Sequence, residues 1–121
     1  MSLLQQTARV EIRTNRPVYT LDERITVTLT LANESAHALR LGFESAQRYD
    51  LLVFRAERMV WRWSENKLFA QVPGRLTLGP GDSRAFEQVI WAKSLGRGEY
   101  DVIAFLTTAP PLHGETSFAI R

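Results

Sequence analysis

Few residues in this chain are of a type that does covalent chemistry. There is no cysteine, which removes thiol nucleophiles, thiolate metal sites and disulfides together. The two histidines, His37 and His113, are separated by most of the sequence, and each stands beside turn-forming residues. A metal site built on them needs a carboxylate and a spacing that gathers the ligands, and no such spacing exists; both are expected at the surface. No Gly-x-Ser-x-Gly elbow presents a serine, although a Ser-His-Asp constellation assembled by the fold stays open. Gly96-Arg97-Gly98 lacks the strand-to-helix context of a phosphate loop and reads as a turn. Asp22-Glu23 sits in a turn-like segment and reads as solvated charge. The expectation is a chain without catalysis, metal or cofactor.

What remains is aromatic, and it lies between Tyr49 and Gln71. Two of the three Trp, two of the six Phe and a Tyr fall there. Tyr49-Asp50-Leu51-Leu52-Val53-Phe54-Arg55 and Val60-Trp61-Arg62-Trp63-Ser64 flank a polar gap at Ala56-Glu57-Arg58, the pattern of a β-hairpin. Neither Glu57 nor Arg58 favours positive φ, so a four- or five-residue loop built on a type I turn is expected. Trp61 and Trp63 are two apart, which in a strand aims both rings to one side and Arg62 to the other. That side is expected to be the core; an exposed, coplanar arrangement with Trp91 would instead make a stacking platform for carbohydrate. Asn66, Lys67, Leu68, Phe69, Ala70 and Gln71 follow, ended by Pro73-Gly74. The apolar Leu68-Phe69 pair is either packed back as a lid or presented to a partner, which makes this loop the candidate binding site.

The elements that position it read as strands. Val10 and Ile12 alternate with Arg9, Glu11 and Arg13 over Ala8–Thr14, and Asn15-Arg16-Pro17 breaks the run. Over Arg24–Leu31, Ile25, Val27, Leu29 and Leu31 share one face while Thr26, Thr28 and Thr30 share the other, a pattern that suits a sheet and loads a helix with β-branching. Asn33-Glu34-Ser35 is a turn and formally a glycosylation sequon. Leu39, Leu41 and Phe43 line a third strand, Arg75–Leu78 a short one ended by Gly79-Pro80-Gly81-Asp82. Arg84–Trp91 puts apolar residues on both faces, so a bulge or two-sided burial is expected. In Glu99–Thr107, Tyr100, Val102, Ala104 and Leu106 share a face, and Tyr100 stands where a tyrosine corner would. Glu115–Ile120 closes the chain.

This makes about seven to nine short strands, with turns at roughly 8–12-residue intervals and no long helix, the signature of an antiparallel β-sandwich. At 121 residues the chain is expected to be a single domain. Fifteen basic residues, thirteen of them Arg, face thirteen acidic ones without forming a stripe, so a nucleic-acid surface is not expected. No apolar run approaches the ~18 residues that cross a membrane. Met1-Ser2-Leu3-Leu4 has neither basic region nor apolar core, which predicts a cytoplasmic protein; a boundary that removed a signal would leave the same start.

Tyr49-Asp50, Trp61-Arg62-Trp63-Ser64, Phe69-Ala70-Gln71 and Leu78-Gly79-Pro80-Gly81-Asp82-Ser83, in this order, resemble the BsuPI family of bacterial intracellular proteinase inhibitors over Val10–Leu106. The departure is at Glu57-Arg58, where such hairpins often turn on a glycine. The resemblance implies an immunoglobulin-like β-sandwich that inhibits a subtilisin-like serine protease by protein–protein contact. Such proteases accept large apolar side chains, which makes Leu68 or Phe69 the residue expected to enter the main pocket. The residues alone stop at a β-sandwich with an aromatic-rich hairpin, so a non-inhibitory immunoglobulin-like binding or assembly module and a carbohydrate-binding module remain alternatives, and the oligomeric state stays open.

Overall fold

Period-two alternation of apolar and polar side chains builds this molecule, because each strand can bury one face only against a second sheet. The structure, a computed structural model, describes residues 8–121; the Met1–Leu4 start lies outside the described residues. The strands are β1 (Ala8–Thr14), β2 (Val18–Tyr19), β3 (Arg24–Asn33), β4 (Leu39–Phe43), β5 (Tyr49–Arg55), β6 (Arg58–Arg62), β7 (Gly74–Leu78), β8 (Ser83–Trp91), β9 (Gly98–Leu106) and β10 (Leu112–Ile120), with one helical turn, α1 (Ala92–Leu95), before β9. One sheet has the order β1-β3-β8, a second β2-β10-β9-β5-β6, and β4 and β7 form a separate ladder. All pairings are antiparallel except that of β2 with β10. The fold is an immunoglobulin-like β-sandwich. Beyond the expected strands it contains the two-residue β2, which docks beside the chain's last residues.

The core is where the alternation placed it. Ile25, Val27, Leu29 and Leu31 of β3 are at most 1% exposed, facing a cluster that includes Leu51, Val53, Val102, Ala104 and Leu106. Thr26, Thr28 and Thr30 stay on the other face, half-buried. A slip of one residue would exchange the two sets and bury three hydroxyls, which pins the register. Tyr100 makes the expected corner: its hydroxyl lies 2.6 Å from the carbonyl oxygen of Leu95 and 2.8 Å from that of Gly96.

Asn33 is more than a turn residue. It is buried, and its Nδ2 donates to the carbonyls of His37, Leu78 and Gly79 while Oδ1 accepts from the backbone and hydroxyl of Ser35. Its backbone also bonds Gly81 and Asp82, where Gly81 takes a φ of 78°. The side-chain amide of this sequon is therefore fully engaged in holding the β3–β4 and β7–β8 connections together.

Two expectations are corrected. β8 pairs with β3 in unbroken register and has one buried face: Ile90 is inside, whereas Val89 and Trp91 are 47% and 45% exposed. No bulge or two-sided burial is needed, because Arg24 and Lys93 lie over the Trp91 ring and cover part of its apolar surface. The β5–β6 hairpin closes with Arg55 opposite Arg58, leaving two residues, Ala56 (φ 48°) and Glu57 (φ 68°), in the left-handed region. This is the backbone of a primed two-residue turn, not a longer loop on a type I turn. In strict register it would place Val60 opposite Val53 and turn both Trp outward. A bulge leaves Val60 without a partner and sets Trp61 opposite Val53, which returns the rings to the core side.

Left-handed Ala and Glu are each disfavoured by about 1–2 kcal/mol. Glu57→Gly is therefore expected to raise unfolding stability by about 0.5–1 kcal/mol, after allowing for glycine's extra chain entropy. Leu29→Ala is expected to lower it by about 2–5 kcal/mol. Urea unfolding followed by tryptophan fluorescence reads both.

Candidate functional site

A carboxylate without partners does not survive burial, so the most informative residue of the hairpin is Asp50, whose exposure is 0%. Parity sets it on the opposite face of β5 from Leu51 and Val53, the face that would ordinarily be wet. It is covered instead by the end of β6. Arg62 Nε donates to Oδ2 at 2.7 Å and Ser64 Oγ to the same oxygen at 2.6 Å. The backbone N–H groups of Leu51 and Ser64 donate to Oδ1 at 2.9 and 3.2 Å. Four donors thus meet one carboxylate, and two come from Ser64, the residue at which the chain leaves the hairpin. Arg62 remains 43% exposed, so its charge is shared between Asp50 and water.

The other face of the same segment carries a row of rings. Trp63 donates its backbone N–H to the Leu51 carbonyl at 2.9 Å, continuing the β5–β6 pairing by a step. Its indole stacks on Tyr49 at 4.5 Å between centroids and 16° between planes. Tyr49 in turn meets Phe86 of the facing sheet at 5.0 Å, and its hydroxyl accepts a hydrogen bond from Gln88 Nε2. At the other end Phe69 lies 5.7 Å from the Trp63 ring. Phe86, Tyr49, Trp63 and Phe69 therefore form a continuous aromatic row from the opposite sheet out to the loop. Trp61 and Trp63 are half-buried against the core, as expected.

The loop itself is tied at both ends. Glu65 N–H bonds the Arg62 carbonyl at 3.2 Å and Lys67 N–H the Ser64 carbonyl at 3.1 Å, with Asn66 between them at a φ of 63°. Asn is among the residues that tolerate this region best. Lys67 Nζ sits 5.2 Å from the Trp63 ring centroid. Downstream, the Ala70 carbonyl accepts from the Ala46 N–H at 2.9 Å. Between these ties Leu68 is 100% exposed. The Leu68-Phe69 pair, read from sequence as one unit, is split: Phe69 anchors and Leu68 is presented. Asn66, Lys67, Ala70 and Gln71 are all exposed around it.

The remaining candidates do not gather. His37 and His113 are both exposed, and among the described residues no cluster of metal-ligating side chains exists. The carboxyls held below their ordinary range belong elsewhere: Glu11 through its bond and ion pair to Arg13, and Asp22 through the Thr20 hydroxyl. The three Trp do not share a stacking surface, since Trp63 is engaged by Tyr49 and Lys67 while Trp91 lies on the other sheet. Sequence reasoning missed the role of Asp50 altogether. The signal was its place beside Trp61-Arg62-Trp63-Ser64, which had no chemical reading until the hairpin brought Arg62 and Ser64 onto it.

Residues 12–111 match the model of the BsuPI family, described as intracellular proteinase inhibitor. No curated protein sequence matches the chain. Among solved structures it is similar to a cycloisomaltooligosaccharide glucanotransferase from Paenibacillus sp., with 15% identity and a TM-score of 0.60 over 92% of this chain and 14% of that one. The C-terminal domain of wzt gives 13% identity and a TM-score of 0.59 over 95% of this chain and 74% of that one. The sporulation control protein Spo0M of Bacillus subtilis gives 15% and 0.57 over 95% of this chain and 49% of that one. The chain thus spans less than half of two of these proteins, and at such identities the likeness concerns the fold alone.

Asp50→Asn keeps the shape of the side chain but points an N–H₂ at a cluster of donors. It is expected to lower stability by about 2–4 kcal/mol. An unfolding midpoint unchanged from the parent would contradict the arrangement.

Proposed function

Because the chain belongs to the BsuPI family of intracellular proteinase inhibitors, we propose that it inhibits a subtilisin-like serine protease by direct contact, with Leu68 as the side chain that enters the main specificity pocket. The observation that carries this reading is the complete exposure of Leu68 on a loop fixed on both sides. Moving a fully exposed leucine into an apolar pocket gains about 1.5–3 kcal/mol. That gain is retained on binding because Asp50, Trp63 and the Ala46–Ala70 bond have already ordered the loop. Asn66, Lys67, Phe69, Ala70 and Gln71 form the rest of the contact surface, with Phe69 holding the loop from below. On this reading the chain acts as a single non-catalytic domain in the cytoplasm and needs no cofactor. A large apolar apex suits a subtilisin-like pocket and is a poor match for a trypsin-like one, which requires a cation.

An anchoring side chain of this kind contributes at least about 2 kcal/mol, so Leu68→Ala is expected to raise the inhibition constant roughly 30-fold or more. Its melting temperature is expected to stay at the parent value, since Leu68 touches nothing in the free chain. Phe69→Ala is expected to do the opposite in part, lowering the melting temperature and weakening inhibition through loss of loop order. Titration against subtilisin-like and trypsin-like proteases, with melting curves on the same preparations, reads all of this. An inhibition constant unmoved by Leu68→Ala would overturn the loop assignment, and failure to inhibit any protease would leave the binding-module alternative in its place.

A further inference from the structure

Three arginines with no acidic partner line one small hollow. Arg48, just before β5, Arg75 of β7 and Arg84 of β8 surround it together with Phe43, Leu76 and Phe86. Parity puts Arg84 on the same face of β8 as Phe86 and the buried Ile90, the inward face, in the exposed first part of the strand. Its guanidinium lies 5.9 Å from the Phe86 centroid. Arg48 is held more firmly: its guanidinium sits 4.7 Å from the Phe43 centroid, donates from Nη1 to the Ser45 carbonyl at 3.3 Å, and fills the space that a Cβ on Gly74 would need.

Of the ten arginines elsewhere in the chain, five find carboxylates, and Arg24 and Arg55 rest on the rings of Trp91 and Tyr100. Arg9, Arg13, Arg16, Arg62 and Arg121 each pair with an acidic side chain. Among the described residues no carboxylate lies within ion-pair distance of Arg48, Arg75 or Arg84, and residues 1–7 contain no Asp or Glu. Like charges gathered against apolar walls repel one another, and planar guanidinium forks with free N–H groups are the donors best suited to oxyanions. The hollow measures about 150 Å³, the share of about five waters in the liquid, which admits a small ion.

We propose that the Arg48–Arg75–Arg84 hollow is a binding site for a doubly charged oxyanion, either a phosphoryl group or a pair of carboxylates. The site adjoins the aromatic row through Phe86, yet it shares no residue with the Asn66–Gln71 loop and stands independently of the inhibitory reading.

The test is a titration of the ¹⁵N-labelled chain followed by amide and arginine Nε–H resonances. Inorganic phosphate and malonate are compared at constant ionic strength, with sodium chloride as the reference. Saturable shifts are expected at Phe43, Gly74 and Leu76 amides and at Arg48, Arg75 and Arg84 side chains, and not with chloride. Tighter binding of phosphate identifies a phosphoryl ligand; tighter binding of malonate identifies paired carboxylates, such as an acidic segment of a protein. Arg84→Gln, which removes one charge from the rim of the hollow, is expected to weaken binding by about tenfold or more. Shifts that fail to saturate, that chloride reproduces, or that spread over all the arginines would overturn the site on the unmodified chain alone.

Discussion

A single buried carboxylate holds the hairpin end of this molecule together. Asp50 faces outward by strand parity and is nonetheless wholly covered, a position a charge tolerates only when its lone pairs are met by donors. The hairpin supplies four, and the geometry of β5, β6 and the exit at Ser64 has to be right for all to reach. Ser64 is therefore a fixed point from which the loop departs, and the direction of that departure follows from the carboxylate. The bulge at Val60 serves the same end. It lets a two-residue turn coexist with Trp61 and Trp63 on the core side and Arg62 on the Asp50 side.

From that fixed point the packing divides labour between neighbours. Trp63 is clamped between Tyr49 below and Phe69 and Lys67 above, and Tyr49 passes the contact to Phe86 in the facing sheet. The loop thus rests on the sandwich through one column of rings, each pair adding about 0.5–1.5 kcal/mol beyond area burial. Leu68 has no share in it. On the proposed reading its apolar surface is covered only when a protease docks, and the rigid base keeps the ordering cost of that contact low.

Much of this was legible in the residues, and the limits follow from what has a period. The β3 register could be read because aliphatic and Thr residues alternate without a break from Ile25 to Leu31. The tyrosine corner was readable from Gly-Glu-Tyr-Asp-Val, because its hydrogen bonds span only four or five residues. The hairpin turn was not, since Ala56 and Glu57 lack the usual left-handed signals and are forced there by the pairing of Arg55 with Arg58. Asp50 had no reading of its own, because alternation says nothing of what folds back over the outer face. Leu68 and Phe69 looked alike because a loop has no repeat to tell an anchor from an apex. The family motif marked Asp50 and Phe69 without giving their chemistry.

The claim that joins these observations is that the Asn66–Gln71 loop is the surface that meets the protease. It is tested most directly by hydrogen exchange of the chain alone and saturated with a subtilisin-like protease whose catalytic serine has been replaced. The account predicts that new protection is centred on the amides from Asn66 to Val72, with Leu68 at its middle, and that β3 is unchanged. Protection at the Gly79–Asp82 or Gly96–Gly98 turns, with the Asn66–Gln71 amides exchanging as in the free chain, would contradict it.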